Sequence, residues 1–514
     1  MRIGGVFNLL GKLMLALSMM LLTPIPFSLY YHDGMIPTFL LCSAGGLVSG
    51  GLLIAAFRPE KELGYRDGFA IVTFSWLALG LLGALPFYFS GAIPFFVDAL
   101  FESMSGFTTT GSTILTDIEI LPKSLLFWRA MTHWLGGMGI IVLSLAILPL
   151  LGIGGMQLFQ AEAPGPTKDK LAPRIQDTAR ILWSVYLVMT VIETVLLMLG
   201  GMDFFDALTH SFASLATGGF SSYNASIAHY PSPYIQLVII LFMFLAGANF
   251  SLHYLVLRQG FRGYWQNEEF RFYLAVILIS TLLIFLVNHA NGTYVHPGRN
   301  LLDVLFQVVS IITTTGFITA DFDQWPPFCR IMLVSLMFVG GCAGSTGGGI
   351  KVVRLLLFFK FAGAQLHKLV HPRQVESIKL GNTRVPREVM IAVLSFFAIY
   401  LAVFVTASLI ITALGVDIIT GPAAVITTLN NVGPGLAEVG PVKNFAGLPA
   451  LAKLVLIFCM LAGRLELYTV AILLTPGYWK MARKPLLRWK RHPGNEKAAH
   501  PVHTQKLNHD LSCL

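Results

Sequence analysis

The sequence is poor in charged residues and in cysteine. Only 12% of its 514 residues are Asp, Glu, Lys or Arg, whereas 55% are hydrophobic. Because soluble globular domains carry about 25% charged residues, this composition excludes that class and indicates a polytopic membrane protein. The five cysteines have neither metal-ligand nor disulfide spacing, and we interpret them as small apolar residues: Cys42, Cys329, Cys342, Cys459 and Cys513.

Motifs of nucleotide-binding and catalytic sites are also missing from the sequence. Gly11-Lys12 and Gly349-Ile350-Lys351 do not have the spacing of a phosphate-binding loop. The loops contain no His/Asp cluster with metal-ligand spacing and no Ser/His arrangement for nucleophilic attack. The sequence therefore argues against an enzyme and against a bound cofactor. An integral-membrane enzyme acting on lipid-linked substrates is kept as a weaker hypothesis.

Apolar segments long enough to cross a bilayer, which takes about 20 residues, dominate the chain. There are ten: Leu13–Tyr30, Ile36–Phe57, Phe69–Ser90, Leu125–Gly152, Ile181–Gly200, Tyr234–Leu257, Phe272–Val287, Phe328–Phe361, Val389–Leu414 and Ala450–Leu474. Loops rich in Lys and Arg alternate with loops poor in both, and the positive-inside rule makes the basic loops cytoplasmic. The even number of spans predicts that both termini are cytoplasmic. The alternation also argues against a nucleic-acid partner.

Four short polar stretches that end in glycine recur between these spans. They are Thr108–Gly111, Ala216–Gly219, Thr313–Gly316 and Asn430–Gly433. Thirteen residues before each final glycine lies a residue suited to a helix N-cap, namely Asp98, Asp206, Asp303 and Thr420. The segment between cap and glycine is too short to cross a bilayer, which predicts a re-entrant pore helix followed by a polar loop.

The predicted fold class is therefore an all-α polytopic membrane protein. Four pseudo-symmetric repeats of span, pore helix, filter loop and span surround a central pore, and two extra spans precede them. The predicted boundaries are 1–66 for the two N-terminal transmembrane helices, 67–155 for repeat 1, 179–262 for repeat 2, 270–363 for repeat 3 with a broken gating helix, 387–479 for repeat 4 and 480–514 for a basic cytoplasmic tail.

The polar stretches have the chemistry of a filter for a dehydrated monovalent cation. Non-helical backbone at membrane depth is tolerated only where it is buried in protein or lines a wet cavity. Carbonyl oxygens directed into that cavity can replace the hydration shell of the ion, and glycine reaches the positive φ that this requires. No carboxylate lies within the four stretches, which argues against a filter for divalent ions. Thr–Gly stretches also occur as helix kinks, but four copies at one spacing favour the filter.

The four stretches, the ten spans and the segment Gly463-Arg464-Leu465-Glu466-Leu467-Tyr468 resemble the TrkH family, the membrane subunits of bacterial Trk potassium uptake systems in the Trk/Ktr/HKT superfamily. The resemblance implies a potassium filter formed by Thr109, Thr110, Gly111, Thr217, Gly218, Gly219, Thr314, Thr315, Gly316, Asn431, Val432 and Gly433. The second and fourth stretches depart from Thr-Thr-Thr-Gly, so the four-fold symmetry is approximate.

The same resemblance implies the setting in which the protein works. It implies a homodimer in the bacterial inner membrane, with one pore in each protomer. It also implies a TrkA-type cytosolic regulatory subunit, for which the basic loops offer a docking surface. Any nucleotide is expected to be bound by that partner, and potassium is the transported ion. A secondary transporter that couples potassium to protons or sodium is the alternative, although the four repeats of one orientation differ from the paired inverted repeats of such transporters.

A glycine-rich run interrupts the eighth span. Residues 340–349 contain six glycines, too many for a stable helix, and the helical rise places them near the middle of the membrane. We predict a gate below the filter, formed by Gly344, Ser345, Thr346, Gly347, Gly348 and Gly349 together with Arg464, a role that the family resemblance also implies. Close packing of membrane helices through small residues is the alternative interpretation of the glycines.

Four further polar residues have weaker signals, and Arg464 itself has two possible roles. Arg464 either projects into the pore beneath the filter or pairs with Glu466 or Glu193. Glu102 and His210 lie on pore helices, where they either tune the vestibule or face water. For the last two, Arg129 and His133, snorkelling from the end of the fourth span is the simpler interpretation.

Overall fold

The computed structural model describes residues 3–58, 64–147, 175–373, 377–381 and 383–480. Its helices are Ile3–Met20, Ile25–Tyr31, Ile36–Ala56, Tyr65–Phe89, Phe96–Phe107, Lys123–Ile147, Ile175–Leu199, Phe204–Leu215, Pro233–Ala246, Phe250–Gln259, Arg262–Gln266, Glu268–Ala290, Pro297–Ile312, Pro327–Val339, Val352–Val370, Arg387–Ala413, Thr420–Leu429, Ala450–Arg464, Leu467–Leu474 and Pro476–Lys480. A two-stranded antiparallel hairpin, Lys379–Leu380 with Thr383–Arg384, is the one departure from helix and loop in these ranges. The predicted tail beyond residue 480, the end of repeat 1 at 148–155 and Cys513 lie outside the described residues.

The predicted spans correspond to helices, but not all of them are straight. Six helical segments are long and apolar enough to cross a membrane: Ile3–Tyr31, Ile36–Ala56, Arg66–Phe89, Asp177–Leu199, Glu268–Ala290 and Arg387–Ala413. Two helix pairs bring the number to eight if each is one bent span: Pro233–Ala246 with Phe250–Val256, bent by 102°, and Ala450–Arg464 with Leu467–Leu474, bent by 118°. The fourth predicted span is helix Lys123–Ile147, and the eighth is divided between Pro327–Val339 and Val352–Val370.

The first span begins ten residues before the predicted Leu13. Its N-terminal part contains Asn8 and Gly11, which reduced the apolar signal of the sequence. Both residues pack against the third helix: the Asn8 side chain donates to the Phe57 carbonyl at 2.7 Å, and Gly11 lies against the backbone of Gly50. Polar and small residues are tolerated here because the neighbouring helix satisfies them.

The outer surface of the helical bundle is apolar. Helix Ile36–Ala56, for example, leaves more than half of the side-chain surface of Leu41, Val48 and Leu52 exposed. Buried polar residues concentrate instead in the pore helices and the loops that follow them. This distribution is the reverse of a soluble protein and agrees with the predicted polytopic membrane class.

The pore helices end where the sequence predicts but begin elsewhere. We name them pore helices 1 to 4, namely Phe96–Phe107, Phe204–Leu215, Pro297–Ile312 and Thr420–Leu429. Their N-caps are Phe95, Asp203, His296 and Ile419, so the prediction that Asp98, Asp206, Asp303 and Thr420 are the N-caps is wrong. In pore helix 3 the cause is Pro297, which suits the first helical position and moves the start of the helix upstream.

The four residues thirteen before the glycines bind neighbouring side chains or backbone instead. Asp98 accepts from Lys453 at 2.7 Å, and Asp303 accepts from Arg299 at 2.8 Å. Asp206 accepts from the hydroxyls of Tyr223 and Tyr230, both at 2.6 Å, and Thr420 accepts from the Glu438 amide at 3.3 Å. Asp98, Asp206 and Thr420 therefore fasten their pore helices to other parts of the chain, whereas the Arg299–Asp303 pair lies within pore helix 3.

Candidate ion pathway

The four glycine-ended stretches, named filters 1 to 4 in chain order, share one backbone geometry. In each, the second residue donates its amide to the carbonyl three residues earlier, and the third residue donates to the carbonyl five residues earlier. These eight hydrogen bonds measure 2.8–3.3 Å, and they tie Thr109, Thr110, Thr217, Gly218, Thr314, Thr315, Asn431 and Val432 to the last turns of the pore helices. The hydrogen bonds thus fold all four loops alike despite their different sequences.

Two residues of each filter have left-handed backbone. The second residues, Thr109, Thr217, Thr314 and Asn431, have φ between 52° and 60°, and the final glycines have φ between 78° and 101°. Positive φ is expected for glycine and is uncommon for threonine. The sequence predicts the positive φ of the glycines. It gives no signal for the positive φ of the second residues, which depends on the hydrogen bonds to the pore helices.

The filters contact one another in chain order and close a ring. A Cβ atom added to Gly111, Gly219 or Gly316 would overlap the carbonyl of the third residue in the next filter, far inside the 3.0 Å at which real Cβ contacts begin. Those carbonyls belong to Gly218, Thr315 and Val432. A Cβ on Gly433 would lie 2.9 Å from the Thr110 carbonyl, which returns the ring to filter 1. The twelve predicted filter residues therefore lie together around one axis.

All four filter glycines line one cavity of about 120 Å³. The loops that follow the glycines form its walls, including Ser112, Ser221, Tyr223, Pro434 and Lys443. We call this cavity the vestibule. Because it touches every filter glycine, an ion in the vestibule has direct access to the ring.

On the other side of the ring, the second filter residues place side-chain oxygens in a buried region. Thr109 Oγ1 and Asn431 Oδ1 have no hydrogen-bond partner there. Thr217 Oγ1 donates to the Ala216 carbonyl at 2.6 Å, and Thr314 Oγ1 accepts from the Gly348 amide at 2.7 Å. Buried oxygens without partners are rare in proteins. Asn431 Oδ1 faces helix Ala450–Arg464, where it lies 3.0 Å from a Cβ built on Gly463.

The glycine-rich run of the eighth span is a compact loop, which we call the gate loop and which covers residues 340–351. It begins where helix Pro327–Val339 ends and finishes before helix Val352–Val370. Its two ends touch, since the Val352 amide donates to the Gly341 carbonyl at 3.0 Å. The chain therefore leaves the helical path and returns to it at nearly the same point, and this geometry rules out a continuous helix.

The gate loop lies directly below the filter ring. Thr346 Oγ1 donates to the Leu215 carbonyl at the end of pore helix 2, at 2.9 Å. The Gly348 amide bonds to Thr314 of filter 3, and a Cβ on Gly348 would overlap the Asn430 carbonyl of filter 4. Of the six predicted gate residues, Ser345, Thr346, Gly347 and Gly348 are buried here, and Gly344 is exposed. Close approach to filter 4 explains why glycine is needed at position 348.

Arg464 binds the gate loop rather than a carboxylate. It is 3% exposed, and its guanidinium donates to the Thr346 carbonyl at 2.6 Å and to the Gly136 carbonyl at 3.0 Å. Within the described ranges Arg464 makes no ion pair, which excludes the second of its two roles considered above, pairing with Glu466 or Glu193. The physical reason is the 118° bend after Arg464, which turns Glu466 away along a different helix.

Glu466 and Glu193 have other partners. Glu466 accepts from Arg354 at 2.6 Å, and Arg354 also stacks on the Phe396 ring with its guanidinium carbon 4.3 Å from the ring centroid. Glu193 accepts a hydrogen bond from Ser214 of pore helix 2. The break in the tenth span therefore contacts the eighth span at two points, through Arg464 within the gate loop and through Glu466 just beyond it.

Arg129 is buried beside filters 1 and 2, so the prediction that it snorkels is wrong. It is 2% exposed and forms an ion pair with Glu102 of pore helix 1 at 2.7 Å. Its second donor reaches the Ser221 carbonyl at 2.9 Å, and its guanidinium carbon lies 3.4 Å from the centroid of the Phe220 ring. His133, also buried, stacks on the same Phe220 ring with ring centroids 4.0 Å apart. The pairing with Glu102 compensates the cost of burying the charge.

His210 and Asp206 organise the loop after filter 2. His210 is fully buried and bonds to the Ser221 hydroxyl at 2.9 Å and to the Asp206 carbonyl at 2.7 Å. Burial, followed by the hydrogen bond to Asp206, raises the pKa of Tyr223 to about 12. The Tyr223 hydroxyl therefore stays protonated and remains a donor at neutral pH. Neither Glu102 nor His210 faces water, in contrast to one of the two sequence interpretations.

Comparisons with known proteins agree with this architecture. The family model described as a cation transport protein, TrkH, matches residues 39–480. The Trk system potassium uptake protein TrkH of Escherichia coli (strain K12) is 44% identical over 484 residues, covering 93% of this chain and 100% of that protein. The Trk system potassium uptake protein TrkG of the same strain is 34% identical, covering 92% of this chain and 98% of that protein. The crystal structure of the potassium transporter TrkH from Vibrio parahaemolyticus superposes with a TM-score of 0.86 at 40% identity, over 93% of this chain and 100% of that chain.

Proposed function

This chain belongs to the TrkH family of cation transport proteins, and we propose that it takes up potassium across a bacterial inner membrane through a gated, cation-selective pore. The observation that carries this proposal is the closed ring of four filters, in which every filter glycine lines the vestibule and three lie tightly against the next filter. A ring of backbone carbonyls can replace the hydration shell of a monovalent cation.

The electrostatics of the ring favour a monovalent cation. Each pore helix ends at a filter, so the partial negative charge of its C-terminus is directed at the ring. No filter residue is acidic, so the ligands that the ring offers are neutral backbone oxygens. Neutral oxygens suit potassium, whereas divalent ions are held by carboxylates.

The gate loop and Arg464 form the proposed gate. A guanidinium buried beneath a cation filter repels cations, and its hydrogen bond to Thr346 holds the loop across the pathway. Opening then requires the loop to leave the Leu215, Thr314 and Arg464 contacts that hold it. All of these are hydrogen bonds, which exchange for water more readily than a packed apolar core does.

The assembly and regulation follow from the family resemblance. We propose a homodimer with one pore in each protomer, both termini in the cytoplasm, and a TrkA-type cytosolic subunit that binds nucleotide and controls the gate. Size-exclusion chromatography with multi-angle light scattering on the purified protein tests the dimer, and a monomer at micromolar concentration would contradict it.

Growth of a potassium-uptake-deficient bacterial host on low-potassium medium tests the main proposal. Expression of the chain should restore growth, and purified protein in liposomes should take up ⁸⁶Rb⁺ along a potassium gradient. Membrane-inserted protein that restores neither would contradict the proposal. The reversal potential under imposed gradients separates the two transport classes. A value that follows potassium alone indicates a channel, and a value that shifts with a proton or sodium gradient indicates a symporter.

A further inference from the structure

One position of the pore helices lies behind every filter. Counting nine residues back from each filter glycine gives Glu102, His210, Gln307 and Ala424. All four are fully buried. Three of them carry side chains able to form hydrogen bonds, and one does not. We call this the brace position.

At filter 1 the brace is an ionic cluster. The Glu102 carboxylate accepts from the Thr113 hydroxyl at 2.9 Å and from the Ile114 amide at 3.0 Å. These two residues follow Gly111 by two and three positions. Glu102 also accepts from Arg129 at 2.7 Å. Pore helix 1 is therefore bonded to the chain on the far side of its own filter, which holds the filter between two fixed points.

At filter 2 the brace is a single histidine bond that shares a partner with filter 1. His210 bonds to the hydroxyl of Ser221, which follows Gly219 by two positions, at 2.9 Å. The Ser221 carbonyl accepts from Arg129 at 2.9 Å. Glu102, Arg129, Ser221 and His210 thus form one continuous set of hydrogen bonds from pore helix 1 to pore helix 2. Filters 1 and 2 are fastened to each other as well as to their own helices.

The brace weakens at filter 3 and is absent at filter 4. Gln307 donates to Thr319, three residues after Gly316, at 3.4 Å, the longest of these bonds. The Ala424 side chain is a methyl group, which can neither donate nor accept a hydrogen bond. The chain after filter 4 is bonded to pore helix 4 further along the loop, where the Glu438 amide donates to Thr420 at 3.3 Å.

We propose that Glu102, His210 and Gln307 are positioning residues that set ion discrimination by fixing the filter carbonyls, and that filter 4 has no such residue at the brace position of its pore helix. The inference rests on the proposed function, since it assigns these residues a part in the selectivity of that same filter. A carbonyl ring discriminates between ions only if its oxygens keep their spacing, and functional groups must be held to within about 0.5 Å. Each brace bonds within three residues of a filter glycine, close enough to control that spacing.

Substitutions at three brace positions test the proposal. His210→Ala and Gln307→Ala remove a brace, His210→Gln keeps a group able to bond to Ser221, and Ala424→Ser is the matched control at the position without a brace. The unfolding temperature of the detergent-solubilised protein is measured against KCl and against NaCl concentration. For each ion this gives the concentration that produces half of the maximal stabilisation, and the ratio of the two concentrations is the binding ratio. ⁸⁶Rb⁺ uptake with and without competing Na⁺ gives the corresponding transport ratio.

We expect His210→Ala to lower both K⁺/Na⁺ ratios by about two- to tenfold, the range of one hydrogen bond. Gln307→Ala should lower them less, because its bond is longer. His210→Gln should restore most of the loss, and Ala424→Ser should leave both ratios within twofold of the unmodified protein.

Two outcomes would overturn the inference, and a third concerns only the proposed function. Unchanged ratios in His210→Ala, accompanied by a lower unfolding temperature in both salts, would show that the histidine only stabilises the fold. Equal losses in His210→Ala and Ala424→Ser would show that the brace position has no specific role. If the unmodified protein is stabilised by K⁺ over Na⁺ but takes up no ⁸⁶Rb⁺, the proposed potassium uptake is refuted. The stabilisation ratios of the variants would still show whether the brace residues set ion discrimination.

Discussion

Replacing the filter glycines one at a time by alanine should affect the four filters unequally. An alanine Cβ at position 111, 219 or 316 would overlap the backbone carbonyl of the next filter, and that carbonyl must move by roughly 1 Å to accept it. At Gly433 the Cβ would lie 2.9 Å from the Thr110 carbonyl, just below the 3.0 Å limit, and a shift of a few tenths of an ångström suffices. The moved carbonyls are the proposed ion ligands.

The cost of each substitution has two parts. Left-handed backbone costs any L-residue about 1–2 kcal/mol, and this part is common to all four positions. Overpacking adds about 1–3 kcal/mol at the three tight positions. Since 1.4 kcal/mol is a factor of ten, the overpacking part corresponds to at least about fivefold. We therefore expect Gly111→Ala, Gly219→Ala and Gly316→Ala to lower K⁺ discrimination at least about fivefold, and Gly433→Ala less than about threefold.

Gly201→Ala is a matched control for the backbone part alone. Gly201 has φ of 98°, close to the 101° of Gly433, and no atom lies within 4 Å of its would-be Cβ. ⁸⁶Rb⁺ uptake into liposomes, with and without Na⁺ and normalised to inserted protein, is the assay. Gly201→Ala should lower stability without changing the Rb⁺/Na⁺ ratio. Equal loss of discrimination at all four filter positions, or the largest loss at Gly433, would refute the reasoning from ring contacts.

Three other predictions concern the gate and the break in the tenth span. Arg464→Ala removes two hydrogen bonds and the charge beneath the filter, so ⁸⁶Rb⁺ flux should rise several-fold with unchanged selectivity. Unchanged flux with lower stability would contradict the gate role. A double-mutant cycle in thermal unfolding tests the ion pair, using Arg354→Gln, Glu466→Gln and the double variant. We expect a coupling energy of about 1 kcal/mol, whereas simple additivity would show that the pair is not coupled. Gly463→Ala places a Cβ against the last carbonyl of pore helix 4 and should destabilise the protein by about 1–3 kcal/mol, while Gly477→Ala, with open space around it, should not.

The sequence predicts those features that depend on residues close in the chain. The helical class, the interruption of the eighth span and the position of each filter after its pore helix all follow from local composition and spacing. The N-caps were the local feature predicted wrongly. Asp98, Asp206 and Asp303 have the residue type of a cap, but each lies inside its helix and binds a partner through its side chain.

The partners of the buried charges could not be predicted from the sequence. Arg129 reaches a carbonyl 92 residues away, and Arg464 reaches carbonyls 118 and 328 residues away. In the sequence each is a lone charge in an apolar segment, for which snorkelling or pairing with a nearby Glu is the simpler interpretation. Backbone carbonyls carry no sequence signal, so their role as acceptors appears only when the fold brings the helix ends together.

The ring is least tight where the chain has to close it. Three of the contacts join filters that are consecutive in the sequence, namely 1 with 2, 2 with 3 and 3 with 4. At each of these contacts the filter glycine lies too close to the next filter to carry a Cβ atom. The contact from filter 4 back to filter 1 joins residues 321 positions apart and is looser. There the Asn431 side chain donates to Thr110 Oγ1 at 2.9 Å, and the Ser112 hydroxyl donates to the Gly433 carbonyl at 3.2 Å. Within the described residues, these two bonds have no counterpart at the other three contacts between filters.

The departure of filter 4 from Thr-Thr-Thr-Gly is therefore tied to its place in the ring, because asparagine supplies the donor that completes the closure. Asn431→Thr, which restores the common filter residue, should accordingly weaken discrimination, and improved discrimination would contradict this account.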